Sequence, residues 1–163
     1  MKLFTAIVMS LGLVACASAP RPLHGEFSTL LPDEAAQRGA TGELVRWGGR
    51  IVSVEPQRDH SCFEIVAAPL GQGGRPRMVD RSDGRFIACR NGFYDPEVFQ
   101  EGREITITGR IDGFQTRKVG DFDYRYPRVA ADVVYLWPEL RQRGMGFEGP
   151  VFYGRYGHRW PVW

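Results

Sequence analysis

Reactive chemistry in this chain of 163 residues starts with its three cysteines. Cys16 follows Leu13-Val14-Ala15, behind a positive start at Lys2 and an apolar run from Leu3 to Val14. A charged start, an apolar stretch and a small residue before the cleavage point form the outline of a signal peptide. The run is too short to cross a bilayer as a helix, which takes about 20 apolar residues. A Cys after Leu-x-Ala is the bacterial lipobox pattern, in which the thiol receives a diacylglyceryl group and becomes the new N-terminus. Each buried methylene adds roughly 0.8 kcal/mol, and two or more chains give stable attachment. Acylated Cys16 would therefore hold the protein on membrane lipid without a transmembrane helix. A plain secretory Cys is the alternative, and four matching positions weigh against it.

The other polar clusters are weaker. Asp59-His60-Ser61 has the residue types of a nucleophilic triad, but triads are recognised by geometry and adjacent residues rarely converge. A polar hairpin turn accounts for it better. His24, His60 and His158 stand at no spacing that suggests zinc. Gly71-Gln72-Gly73-Gly74-Arg75 is neither a P-loop nor a dinucleotide fingerprint, and no long helix follows it. Asp80 with Asp83, and Asp121 with Asp123, have the residue types for sugar hydrolysis, but surface loops carry such pairs routinely. No catalytic residue, metal site or cofactor is assigned, and the chain is expected not to be an enzyme.

Charge points the same way. There are 21 Lys and Arg against 19 Asp and Glu, and removal of Lys2 with a signal peptide leaves 20 against 19. That near-neutral balance gives no basic face for nucleic acid, so none is expected as a partner. Of the 21 basic residues 19 are Arg. Their planar forks suit phosphates and anionic headgroups, although their scatter fits a compositional bias better.

Cleavage before Cys16 leaves 148 residues (163 less 15), enough for one domain with tails. Four segments result: a signal peptide over 1–15, a lipidated tether over 16–42, a β-barrel domain over 43–138 and a tail over 139–163. Pro20, Pro22 and Pro32 interrupt the tether. A brief helix is expected from Pro32 to Arg38, with Pro in the first turn and Gly39 as its stop.

Strands are expected at Leu44–Val54, Cys62–Ala67, Arg85–Arg90, around Ile105–Asp112 and at Tyr124–Trp137. The first carries a bend at Gly48-Gly49. The fourth alternates most cleanly, with Ile105, Ile107 and Ile111 on one face. A very short helix is expected at Asp95–Gln100, a turn over Gly113–Gly120 and a break at Pro127. The fold class is all-β with one short helix: an OB-like five-stranded barrel. A small β-sandwich is the alternative.

Pairing Val66 with Arg85 in an antiparallel hairpin sets Cys62 opposite Cys89, where Cβ atoms stand about 4.5–5.5 Å apart. A Cys62–Cys89 disulfide is expected in an oxidising compartment. Two inert buried thiols are the alternative. Arg46, Trp47, Arg85 and Phe86 form a weak ligand-binding set, because OB-type barrels commonly bind across strands two and three and Arg beside aromatics suits anionic or sugar-like partners. Core packing accounts better for Trp47 and Phe86. From Glu139 the chain mixes Gly and Arg with Phe147, Tyr156, Trp160 and Trp163, so a flexible aromatic tail is expected. It could dock on lipid, peptidoglycan or an envelope protein, or fold back on the barrel.

Several phrases are more particular: Val45-Arg46-Trp47-Gly48-Gly49, Pro69-Leu70 with Gly74-Arg75-Pro76, Ser82-x-Gly84-Arg85-Phe86, Gly92-Phe93-x-Asp95-Pro96, Tyr124-x-Tyr126-Pro127 and Tyr135-Leu136-Trp137-Pro138. In this order, behind a lipobox, they resemble the Slp (starvation-inducible) family of outer-membrane lipoproteins. The resemblance implies a lipid-anchored, periplasm-facing protein linked to stationary phase or envelope stress, with no catalytic residues to carry over. Ala17 rather than Asp after the lipobox agrees with outer-membrane sorting. Neither the cysteine pair nor Asp59-His60-Ser61 belongs to the family pattern. A structural or interaction module is the leading expectation, and a barrel that binds a periplasmic glycan, lipid or small anionic ligand is the second.

Overall fold

A computed structural model of the chain describes residues 18–77 and 79–139. The order of elements is α1 (Pro32–Arg38), β1 (Leu44–Pro56), β2 (His60–Ala67), β3 (Arg85–Asn91), β4 (Glu104–Val119) and β5 (Phe122–Leu136). The five strands close into a ring in the order β1-β2-β3-β5-β4. Only β3 and β5 run parallel; the other neighbours are antiparallel. The expected OB-like ring forms.

Period-2 alternation fills it. Val45, Trp47, Ile51, Phe63, Ile65, Phe86, Ile105, Ile107, Ile111 and Val129 are all buried in one core, each worth about 1.5–3 kcal/mol of burial. Alternate residues of β2 and β3 face outward. β1 is shared between two partners, and Gly49 sits where they meet, opposite Ala67 of β2 and Ile105 of β4. A Cβ on Gly49 would lie 1.9 Å from the Val66 carbonyl oxygen, so only glycine allows the strands to close here. A register shift follows between Ile51 and Ser53.

α1 forms as expected. Pro32 opens it, the Glu34 carboxylate accepts the Leu31 N–H at 3.2 Å, and Gly39 ends it with φ 66°. Its Ala35 enters the barrel core.

Three expectations are corrected. Asp95–Gln100 makes hydrogen-bonded turns, with the Val98 and Phe99 N–H groups on the Asp95 carbonyl at 3.0 and 2.9 Å, and not a helix. The Gly102 N–H turns away to the Ile51 carbonyl of β1 at 2.8 Å, so the turns are not continued. The segment still packs Tyr94 and Phe99 against Phe63, with ring centroids 5.2 and 5.4 Å away. The turn expected over Gly113–Gly120 is strand. β4 continues to Val119 and pairs with β5 as far as Phe122, through shifts at Thr108/Gly109 and Ile111/Gly113. Pro127 does not break β5, because β3 becomes its second neighbour only at Arg128, and a proline on a free edge forfeits no ladder bond. The outer half of this hairpin is an arm whose Val119, Tyr124 and Tyr126 pack on Cys62, Ile87 and Cys89.

Residues 18–42, expected as a tether, lie against the barrel over much of their length. Leu23 and Ala35 are fully buried, and Ser28 bridges Val45 in a parallel sense. Cys16, the signal segment and nearly all of the aromatic tail lie outside the described residues.

A candidate ligand cleft between the N-terminal strap and the barrel

The N-terminal segment is held down by β1. Arg46 donates to the Leu23 carbonyl at 3.0 Å, and its guanidinium lies 5.1 Å from the Phe27 ring centroid. The Ser28 N–H reaches the Leu44 carbonyl at 2.8 Å. Trp47 Nε1 donates to the Leu30 carbonyl at 2.7 Å. Farther on, Arg125 of the arm donates to the Ala36 carbonyl at 2.6 Å, at the end of α1. Residues 21–38 therefore form a strap across the ring.

Between strap and ring lies a cleft of about 560 Å³, within the usual range of small-molecule sites. Phe27, Leu30, Leu31 and Pro32 of the strap form one wall. Trp47 and Gly48 of β1, with Ala68, Pro69 and Leu70 after β2, form the other. Polar groups come from Arg46, Arg81 and Asp83, with Ser28 and Thr29 of the strap. Arg81 is exposed and reaches only to 4.0 Å from Asp83, a separation at which a surface pair contributes little. The cleft thus combines apolar walls with a polar lining of nearly equal weight, in which two guanidinium groups stand beside one carboxylate.

The four residues of the weak ligand-binding set do not share this site. Arg46 and Trp47 border it. Phe86 is fully buried and meets Trp47 edge-on, with centroids 5.2 Å apart inside the core. Arg85 lies on the opposite face of β3, paired with Glu64 at 2.8 Å. The same carboxylate accepts the Tyr126 hydroxyl at 2.8 Å, and the Arg85 N–H donates to the Tyr124 hydroxyl at 3.1 Å. The arm therefore covers the face across strands two and three where a ligand was expected. Burial first, then the Glu64 hydrogen bond, raises the pKa of Tyr126 above its ordinary 10.0.

The other clusters resolve by geometry. Ser61 is fully buried, donates to the Gly92 carbonyl at 3.0 Å and accepts from the Tyr94 N–H at 3.1 Å. His60, its neighbour on β2, points to the other face, so no triad assembles. The Gly71–Arg75 loop closes on itself through the Gly71 N–H and Arg75 carbonyl, and Thr106 fixes it by donating to the Gly74 carbonyl at 2.8 Å. Cys62 and Cys89 face each other in register, with Cα atoms 4.1 Å apart and sulfurs bonded.

Sequence reasoning missed the strap's share of the cleft. Phe27, Leu30 and Leu31 sit among prolines and follow no period, so no pattern marked them as wall residues. The only signal was three large apolar side chains in a segment otherwise expected to be a tether.

A family model described as the outer membrane lipoprotein Slp family matches residues 13–163. The chain belongs to that family. Among curated relatives, the Escherichia coli K12 "Uncharacterized lipoprotein YeaY" is 32% identical over 158 residues, covering 93% of this chain and 80% of the relative. An "Uncharacterized protein" of Haemophilus influenzae is 35% identical over 138 residues, covering 82% and 74%. "Outer membrane protein Slp" of Escherichia coli K12 is 28% identical over 163 residues, covering 96% and 85%. No solved structure matches. As an Slp-family member the chain is an outer membrane lipoprotein, and none of these printed names is that of an enzyme.

Proposed function

We propose that this lipoprotein is a non-enzymatic binding module of the outer membrane whose cleft takes an amphiphile with an anionic head. The supporting observation is the cleft itself, with its apolar walls and the guanidinium groups of Arg46 and Arg81 beside them. An acyl chain suits walls made by Phe27, Leu31, Trp47 and Leu70. A phosphate or carboxylate suits the planar forks of arginine, which bind such groups bidentately.

The position of the cleft along the chain supports a lipid source. Gly25, on its lining, is nine residues beyond Cys16 (25 less 16). Nine extended residues reach about 30 Å at most. A barrel facing the periplasm on an acylated Cys16 would therefore hold its cleft close to the headgroup layer. The family resemblance adds a setting in stationary phase or envelope stress, when such a module would bind lipid or lipid-like components.

A photoreactive amino acid in place of Leu70, activated in intact cells, tests this reading. Capture of lipid, reduced by Arg46→Gln with Arg81→Gln, is the expected result. Capture of one envelope protein without lipid would replace it with the structural or interaction module that the sequence favours.

A further inference from the structure

A cluster of metal-ligand types meets on the outer face of the β2–β3 hairpin. His60 and Cys62 are two apart on β2, so their side chains leave the same face, and Cys89 stands opposite Cys62. A ring nitrogen of His60 and the two sulfurs all lie within 4.8 Å of one another. While the sulfurs are bonded they offer a metal no thiolate. We propose that reduction of the Cys62–Cys89 bond turns this face into a three-ligand site for a thiophilic d10 cation, Zn²⁺ or Cu⁺.

The geometry is reached by side-chain rotation. Zinc holds thiolate sulfur at about 2.3 Å and imidazole nitrogen at about 2.0–2.1 Å, which separates tetrahedral ligand atoms by roughly 3.5–3.8 Å. Once the bond is broken, rotation about χ1 of both cysteines must part the sulfurs to that spacing, and rotation about χ1 of His60 brings its ring nitrogen in by about an ångström. The Cα atoms of the cysteines, 4.1 Å apart, keep the two thiolates together after the bond opens, because the β2–β3 ladder holds the strands. Thiolate pairs select Cu⁺ and Zn²⁺ over harder cations. Water would fill the fourth position on Zn²⁺, whereas Cu⁺ can remain with three ligands.

Burial gives the site both an entrance and a wall. Cys89 and His60 are partly exposed, while Cys62 is buried under the arm. The reductant is a dithiol, the class that reduces protein disulfides. One of its thiolates attacks Cys89 and releases the Cys62 thiolate, leaving a mixed disulfide. Its second thiol then displaces Cys89 and becomes the reductant's own disulfide. Two electrons pass to the cysteines. The cation then binds both thiolates and the neutral imidazole, displacing the protons the thiols carried.

Purified full-length lipoprotein, reduced, desalted without oxygen and titrated with Zn²⁺ or Cu⁺ against a competing chelator, tests the proposal. Co²⁺ serves as a spectroscopic substitute. The expected result is one ion per reduced chain, a thiolate-to-Co²⁺ charge-transfer band, and neither with the oxidised chain. Cys62→Ser should abolish binding. His60→Ala, which keeps the disulfide for folding, should weaken binding by about tenfold or more after reduction, since even outer-shell losses cost about 10–100-fold. Equal binding by oxidised and reduced chain, or no effect of His60→Ala, would overturn the site. Should reduction alone unfold the chain, recovery of its circular dichroism on adding the ion supports the proposal, and failure to recover refutes it.

Discussion

Trp47 donates its indole N–H to the Leu30 carbonyl at 2.7 Å while its ring meets Phe86 edge-on at 5.2 Å. One side chain thus fastens the strap and packs the core, which is why Trp47 borders the cleft although it is almost wholly buried. Trp47→Phe keeps most of the ring packing and removes the donor. The expected cost is about 1–2 kcal/mol in urea unfolding, with faster trypsin cleavage after Arg38. Unchanged stability and cleavage would mean that the strap is held by other contacts.

Gly49→Ala should be far more damaging. Its Cβ would sit 1.9 Å from the Val66 carbonyl oxygen, a backbone atom already committed to the ladder. A loss on the order of 3–5 kcal/mol, or failure to accumulate folded protein, is expected. A variant with native-like unfolding would show that the ring can open at β1 without cost.

Replacing both Cys62 and Cys89 with alanine removes a link between residues 27 apart. Loop-closure entropy puts the loss at about 3.5 kcal/mol. Mass measurement of the wild-type chain with and without reductant checks the bond directly, since reduction should add two hydrogens.

Tyr126 gives a pH signature. Its pKa is raised in the folded state, so the stability linked to it is complete below the ordinary tyrosine value and is lost as pH rises through the folded value. Denaturant midpoints should therefore fall on the alkaline side of pH 10. Tyr126→Phe should lack that fall and be less stable at neutral pH by about 1 kcal/mol, because Glu64 loses a donor. Parallel alkaline profiles for both proteins would remove Tyr126 from the account.

Alternation made the ring legible. Placing Val66 opposite Arg85 then set the hairpin register that brings Cys62 against Cys89. The arm was hidden, because Gly113 and Gly120 read as turn residues while Gln115, Arg117 and Lys118 broke the apolar pattern of β4. Its contact with β2 and β3 depends on Tyr124 and Tyr126 folding back over the hairpin, a long-range event with no local mark. The strap was hidden for a related reason: Leu23 and Ala35 are buried, and Leu30 partly buried, by tertiary packing that leaves no strand period in the sequence. The cleft lies between strap and ring, so it could not be read before either.

Calorimetric titration of the chain from residue 17 onward with dodecyl phosphate, below its micelle concentration, tests the cleft most directly. The account predicts saturable one-to-one binding, weakened about tenfold or more by Arg46→Gln with Arg81→Gln, and much weaker binding of uncharged dodecyl maltoside. Equal heats for both amphiphiles, untouched by the arginine substitutions, would contradict it.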